Sequence, residues 1–286
     1  MRKKIKLAFS DFWGGFEYNP NINTPAGDNV LYKMLSERFD IEISNNPDFL
    51  IFSVFGNNHQ RYSCKKIFYT GENIRPNYSN CDYSVGFDYS TDPRNHRLPL
   101  SAITLFENDI KGNFEKNIDF DKIKSEKNKF CNFIFSNPNA QLRNALFSEL
   151  SKYKQVDSGG RAYNNIGYAV DNKLEFQRQY KFTIAFENSE YPGYTTEKIV
   201  HPKIVDSIPI YWGNYEVGKD WNTKAFINAY DFKNLQELIE YIKKIDSDDN
   251  LYFDMLKEPH FNSVKSKDLD YNTFLDFIYK IINEND

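Results

Sequence analysis

Short apolar runs, each closing on a polar or glycine-containing turn, constrain the fold of this chain more than any other feature. Ile5 to Phe9, Ile41 to Ile43, Phe49 to Phe55, Ile67 to Tyr69 and Tyr83 to Phe87 are short for helices and read as buried strands. Between the first two, Leu31, Leu35 and Phe39 recur at a spacing of four, which predicts a helix over Val30 to Phe39. Strands alternating with helices or loops predict an α/β layer with a largely parallel sheet. The turns Asp11-Phe12-Trp13-Gly14-Gly15, Gly56-Asn57-Asn58 and Gly71-Glu72-Asn73 follow three of these strands. In an open parallel sheet such turns face the ligand crevice. Trp13 and Gly14-Gly15 are placed either to line that crevice or, for Trp13, to enter the core.

From Asn108 to Lys129 the chain turns charged and loses its periodicity, as a linker does. A second α/β pattern follows: a strand at Phe130 to Phe135, a helix from about Leu142 to Tyr153, and strands at Phe182 to Phe186 and Ile208 to Trp212. Helices are expected near Leu235 to Lys244 and Tyr271 to Ile282. The expected domains are residues 1–127 and 128–286, with the terminal helix able to pack back on the first lobe. Neither GxGxxG nor GxxxxGK[ST] occurs in the first lobe, which argues against dinucleotide and P-loop sites. The pattern alone fits glycosyltransferases, kinases, dehydrogenases and binding proteins alike.

A net charge of −4 supplies no positive field for general nucleic-acid binding. The 20 Tyr and 25 Phe suit sugar rings and nucleobases, although a compositional habit of the source would explain them equally. Cys64, Cys81 and Cys131 form no CxxC, so structural thiols in a reducing compartment are expected. The basic start MRKK precedes an apolar run too short for a signal peptide, and no run of about 18 apolar residues spans a membrane. His59, His96, His201 and His260 are scattered, so no zinc site is expected. Asp246-Ser247-Asp248-Asp249 has the look of a DxD metal motif, yet it follows a helix rather than a strand and reads as a solvated acidic turn.

The segment Phe182 to Gly213, FTIAFENSEYPGYTTEKIVHPKIVDSIPIYWG, reads as strand, polar turn, helix start and second strand. Thr195 or Thr196 is the expected N-cap. The free amides of that helix start would receive a phosphate, and Lys198 would add a full charge. Glu197 would then face ribose or sugar hydroxyls; otherwise Glu197 only favours the helix dipole and Lys198 is a solvated charge. Pro202 is expected to kink or interrupt the helix.

FENSEYPGYTTEKI followed by IPIYWG resembles the donor-binding signature of the α-1,3/4-fucosyltransferases, glycosyltransferase family 10, with the bacterial Helicobacter-type members nearest in pattern. SNPNAQLRNALF (Ser136 to Phe147), VDSGG (Val156 to Gly160), FYTGEN (Phe68 to Asn73) and DYSVGFD (Asp82 to Asp88) resemble the same family, in order, from Ile67 to about Leu256. The resemblance implies a GT-B-type α/β fold, two Rossmann-like lobes with a cleft between them. It also implies inverting transfer of L-fucose from GDP-β-L-fucose to a 3-hydroxyl of N-acetylglucosamine or glucose in a β-galactoside acceptor of lactosamine or lactose type. By the same resemblance Arg143 and Lys198 hold the pyrophosphate, and Asn137, Asn188, Tyr194, Thr195, Thr196 and Glu197 line the donor site. Val170, Asp171, Asn172 and Lys173 lie by the nucleoside, and Glu72 is the general base. Relatives often carry a second acidic residue after TGEN, where this chain has Ile74 and Arg75, which leaves Glu72 the turn's only carboxylate.

No cofactor or metal is expected beyond the donor substrate, and no nucleic acid or transmembrane segment. A cytoplasmic location is expected, peripheral at the inner membrane at most, without the heptad repeats and basic tail of some relatives. A transferase using another nucleotide sugar, or a non-catalytic glycan-binding protein, are the rival readings; only release of GDP separates the last from an enzyme.

Overall fold

Phe49-Leu50-Ile51-Phe52 is apolar at every position because helices and loops cover both faces of its strand, as in parallel sheets generally. The computed structural model describes residues 2–14, 16, 29–110, 114, 116, 118–262 and 266–284. In chain order the elements are β1 (Lys3–Ser10), α1 (Val30–Ser36), β2 (Phe39–Ile43), β3 (Phe49–Phe52), β4 (Lys65–Tyr69), β5 (Tyr83–Gly86), β6 (Asn95–Arg97) and α2 (Leu100–Glu107). Then come α3 (Phe120–Glu126), β7 (Lys129–Phe133), α4 (Gln141–Ser151), β8 (Val156–Ser158), α5 (Lys173–Arg178), β9 (Tyr180–Phe186), α6 (Glu197–Ile204) and β10 (Ile208–Trp212). The chain finishes with β11 (Ile227–Asn228), α7 (Leu235–Ser247), α8 (Asp249–Lys257) and α9 (Tyr271–Asn283).

The chain divides into two units, residues 1–108 with 267–286, and residues 109–266. The first holds a six-stranded sheet in the order β2-β1-β3-β4-β5-β6, every pair parallel. The terminal helix α9 belongs to this unit. Its Asp276 pairs with Arg38, Tyr279 stacks on Phe39, and Glu284 accepts from the Tyr83 hydroxyl at 2.6 Å. The second unit holds a five-stranded parallel sheet, β11-β10-β9-β7-β8. Its core joins Phe133, Phe182, Ile184 and Ile210 from the strands to Leu146, Ile242 and Leu256 from the helices. Two Rossmann-like α/β units match the GT-B expectation.

Three local readings differ from the structure. Phe39 opens β2 opposite Lys3 rather than ending α1, whose last turn is closed by the Glu37 amide. The charged stretch before Lys129 is not all linker: α3 buries Ile123 in the second unit's core, so the division falls near Asn108 rather than at residue 127. Residues 111–113, 115 and 117 of that stretch, and Gly15, lie outside the described residues. Asp246 is not in a solvated turn. It is buried at the end of α7, bound by Lys154 and Lys181, while Asp248 caps α8 by accepting from the Asn250 amide. Of the two places open to Trp13, the structure excludes the core, because its side chain is exposed. Among the described residues no helix is long and apolar enough to cross a membrane.

Candidate active site

Strand β9 ends in the core at Phe186, and the next residue is a fully buried carboxylate, Glu187. Burying a charge is costly unless it is paired and hydrogen-bonded, and Glu187 is both. Its Oε1 accepts from the Thr196 amide at 2.8 Å, its Oε2 lies 2.8 Å from Thr196 Oγ1, and Lys198 Nζ reaches Oε2 at 3.1 Å. Burial pushes the Glu187 carboxyl up, against the pull of Lys198. Gly213, at the end of β10, leaves room for it: a Cβ there would stand 2.4 Å from Glu187 Cγ, and the backbone has φ +140°. Asn214 then ties the intervening turn to the sheet, donating to Thr195 Oγ1 at 3.0 Å and accepting from the Gly193 amide at 2.8 Å.

This frame fixes the start of α6. Thr196 is its N-cap, and Glu197 and Lys198 occupy the first turn. The helix runs on through Pro202 uninterrupted to Ile204, with Pro202 buried and its carbonyl accepting from the Val205 and Ser207 amides. Lys198 is not a solvated charge: it sits between Glu187 and Glu197, the latter at 3.7 Å. Burial lowers the Lys198 ammonium's affinity for its proton, but the two carboxylates outweigh that and hold it firmly charged. Glu197 is likewise held well below the usual carboxylate range, burial being overcome by Lys198, Lys173 and His201. Lys173, the first residue of α5, lies 3.8 Å from Glu197, and burial depresses its pKa.

A second cation stands beside the first. Arg143 of α4 is buried, stacked 3.8 Å over the Phe135 ring, and donates to Asn188 Oδ1 at 2.8 Å and the Asn137 carbonyl at 2.7 Å. Burial lowers its pKa to about 10, against Glu187. Among the described residues no carboxylate forms an ion pair with it and nothing accepts from its Nε. A buried guanidinium held only by neutral groups is poised for an anion. Because Glu187 and Asn188 are consecutive, the Arg143 and Lys198 clusters share one turn at the C-terminal end of β9.

The other residues expected at the site are held as follows. Tyr194 is buried, its carbonyl accepting from the Tyr211 hydroxyl at 3.3 Å. Asn172 caps α5 through the Glu175 amide, and Val170 hydrogen-bonds to the Gly159 carbonyl, while Asp171 is exposed. Asn137 is exposed and contributes its carbonyl rather than its side chain to Arg143. Glu72 belongs to the first unit, exposed in the turn after β4, where its amide donates to Thr70 Oγ1 at 2.9 Å. Glu187, Gly213 and Asn214 are additions that the sequence reading passed over, although all three lie within or beside the quoted motifs. A lone glutamate closing an apolar strand was the available signal. Among the described residues no group of three or more His, Cys, Asp or Glu side chains is placed to hold a metal.

Comparison with known proteins matches both units. The family model described as the α-(1,3)-fucosyltransferase FucT N-terminal domain fits residues 7–104, and that of glycosyltransferase family 10 (fucosyltransferase), C-terminal, fits residues 124–274. The chain is 37% identical to the α-(1,3)-fucosyltransferase FucT of Helicobacter pylori, over 99% of its own length and 66% of that relative's. It therefore spans just under two thirds of that protein. A crystal structure of an α1,3-fucosyltransferase superposes with a TM-score of 0.84 at 34% identity, covering 98% of this chain and 90% of that one. An α1,3-fucosyltransferase crystallised with GDP-fucose superposes with a TM-score of 0.82 at 33% identity, covering 99% and 91%.

Proposed function

The chain belongs to glycosyltransferase family 10, the fucosyltransferases, and from that premise we propose that it moves L-fucose from GDP-β-L-fucose to the 3-hydroxyl of N-acetylglucosamine or glucose in a β-galactoside acceptor. The observation that carries this reading is the pair of largely buried cations, Arg143 and Lys198, gathered at one turn at the end of β9 beside the N-terminus of α6. As the glycosidic bond to phosphate breaks, negative charge grows on the departing GDP, and fixed cations in a buried site stabilise that charge without reorganising. The acceptor oxygen attacks the anomeric carbon from the opposite face, so the β-linked donor gives an α-linked product through an oxocarbenium-like transition state. The acceptor's proton passes to Glu72, whose turn carries no other carboxylate.

Lewis-type glycan or lipopolysaccharide synthesis in the cytoplasm, at the inner face of a membrane, is the setting this chemistry suits. With two protein cations and a helix end meeting the diphosphate, transfer is expected without a bound metal. The test is mass spectrometry of products from a panel of labelled lactose and lactosamine acceptors incubated with GDP-fucose, with and without excess EDTA. One added deoxyhexose on the acceptor, persisting in EDTA, is the expected result. In the same assay Glu72→Gln should lower kcat by about 10²- to 10⁴-fold while GDP affinity, measured by calorimetry, stays unchanged. A variant with normal turnover would remove Glu72 from the mechanism, and GDP release with another nucleotide sugar but not GDP-fucose would reassign the donor.

A further inference from the structure

Along the C-terminal edge of the first unit's sheet, the turns after two neighbouring strands each carry an exposed aromatic ring, and the turn after a third carries Glu72. The order β1-β3-β4 places the turns after these strands side by side, all pointing the same way because every pair is parallel. The turn after β1 carries Trp13, that after β3 carries Phe55, and that after β4 carries Glu72. Trp13 and Phe55 meet edge to face, ring centres 5.9 Å apart, and yet remain 43% and 51% exposed. Behind them the aromatic contact continues inward: Phe12 packs against Trp13 at 5.9 Å and stacks with Tyr69, the last residue of β4, at the same distance. A line of rings thus leads from the exposed pair to the strand that presents Glu72. Two strand spacings, about 10 Å, separate the ends of β1 and β4.

The exposed pair is held rigidly, and the holding is costly. Asp11 adopts φ +60°, a conformation that side-chain-bearing residues rarely take. In it the buried Asp11 carboxylate accepts from the Asn58 and His59 amides, each at 2.8 Å, and from His59 Nδ1 at 2.7 Å. The Asp11 carbonyl accepts from the Phe55 amide at 2.9 Å. Gly56 completes the fit, since a Cβ there would lie 2.5 Å from Asp11 Oδ1. One strained, buried residue therefore locks the Trp13 turn to the Phe55 turn. Stability alone gives no reason to pin two large apolar side chains in solvent, whereas a preformed ligand platform does.

We infer that Trp13 and Phe55 form a stacking subsite for the galactose unit of the acceptor, seating it on the sheet edge beside Glu72. The face of β-galactose on which its C–H bonds cluster is apolar and lies flat on an aromatic ring, while its hydroxyls stay in water. The subsite recognises a pyranose bearing that face, and it delivers the neighbouring sugar unit toward the general base. This inference rests on the fucosyl-transfer reading for its acceptor and extends it to the residues that select it.

Kinetics with GDP-fucose and N-acetyllactosamine test it. Trp13→Ala and Phe55→Ala should each raise the acceptor KM about 5- to 10-fold, with donor KM and GDP affinity unchanged. Trp13→Phe, which keeps a ring, should recover most of the loss. Acceptor KM unchanged in both alanine variants overturns the subsite, as does an equal loss of GDP affinity. A measurement on the unmodified protein avoids any folding defect. Trp221 is buried and Trp212 only partly exposed, so iodide quenches chiefly Trp13 fluorescence. N-acetyllactosamine added with GDP should protect that emission, and maltose, which lacks the galactose face, should not. If the unmodified protein binds GDP but fucosylates no β-galactoside, the transfer reading fails. The iodide result then still decides the subsite: protection supports it and absence of protection overturns it.

Discussion

Lys198 carries two burdens that a single substitution confounds. It is the candidate cation for the donor's diphosphate, and it is also what makes the buried Glu187 carboxylate tolerable. Removing one partner of a buried pair costs about 3–5 kcal/mol, because the other charge is left without its counterion. Lys198→Met should therefore lower the thermal midpoint by several degrees and weaken GDP binding by about 10- to 100-fold, the loss of one charge-assisted contact. Adding Glu187→Gln removes the stranded charge while an amide oxygen still accepts from the Thr196 amide. The double variant should regain most of the lost thermal stability and none of the lost GDP affinity. Differential scanning fluorimetry and calorimetry on the three proteins check this. A double variant that recovered GDP binding would show that Lys198 acts only by keeping the turn folded.

Asp246 makes the corresponding case for an element. Lys181 from β9 reaches its Oδ1 at 2.9 Å, Lys154 just beyond α4 binds its Oδ2, and the Tyr153 hydroxyl donates to Oδ2 at 3.1 Å. The end of α7 is thereby tied both to the sheet and to α4. Burial raises the Asp246 carboxyl, but the two lysines outweigh it and keep it below its ordinary range. Asp246→Ala strands the largely buried Lys181, so a loss of about 3 kcal/mol is expected. Circular dichroism melts should show it, while GDP affinity measured well below the transition stays normal; a lost GDP affinity at that temperature would tie α7 to the donor site instead. The strands were legible in the sequence because continuous apolar runs report burial on both faces directly. The donor turn was legible because its motif is contiguous. Asp246 was not, since four polar residues in a row look solvated until lysines 92 and 65 positions away are brought to the first of them. Phe39 was misread for a related reason: its spacing continues the helical stripe, and only pairing with β1 assigns it to a strand. Glu187 was passed over because its value lies in Gly213 and Thr196, which meet it only in the fold.

Folding holds His96 in the first unit and both His201 and His260 in the second neutral, and all three bear on how the molecule responds to acid. In the first unit His96 of β6 stacks on Phe277 of α9, ring centres 5.2 Å apart, and its Nε2 lies 3.4 Å from Thr273 Oγ1. Burial lowers its pKa to about 4, although Asp268 and Asp276 oppose the shift. In the second unit His201 of α6 is lowered to about 4, by burial first and then by Lys173 and Lys198, with Glu197 opposing. An unfolded histidine titrates near 6.5. Between that value and about 4 the unfolded chain binds protons that the folded one refuses. By linkage, the stability these two groups contribute is fully present above pH 6.5 and is lost as pH falls toward 4. Thermal midpoints should thus decline from pH 7 to pH 4.5. His96→Gln should flatten the decline by removing one imidazole that takes up a proton only on unfolding, His201→Gln by removing another, and the pair together more than either alone. Buried carboxylates whose pKa is lowered, such as Asp246, act in the same direction, but lower on the pH scale. Identical slopes for the parent and the double variant between pH 6.5 and 5 would mean that neither imidazole is neutral in the folded protein, and would return both to the solvent-facing surface.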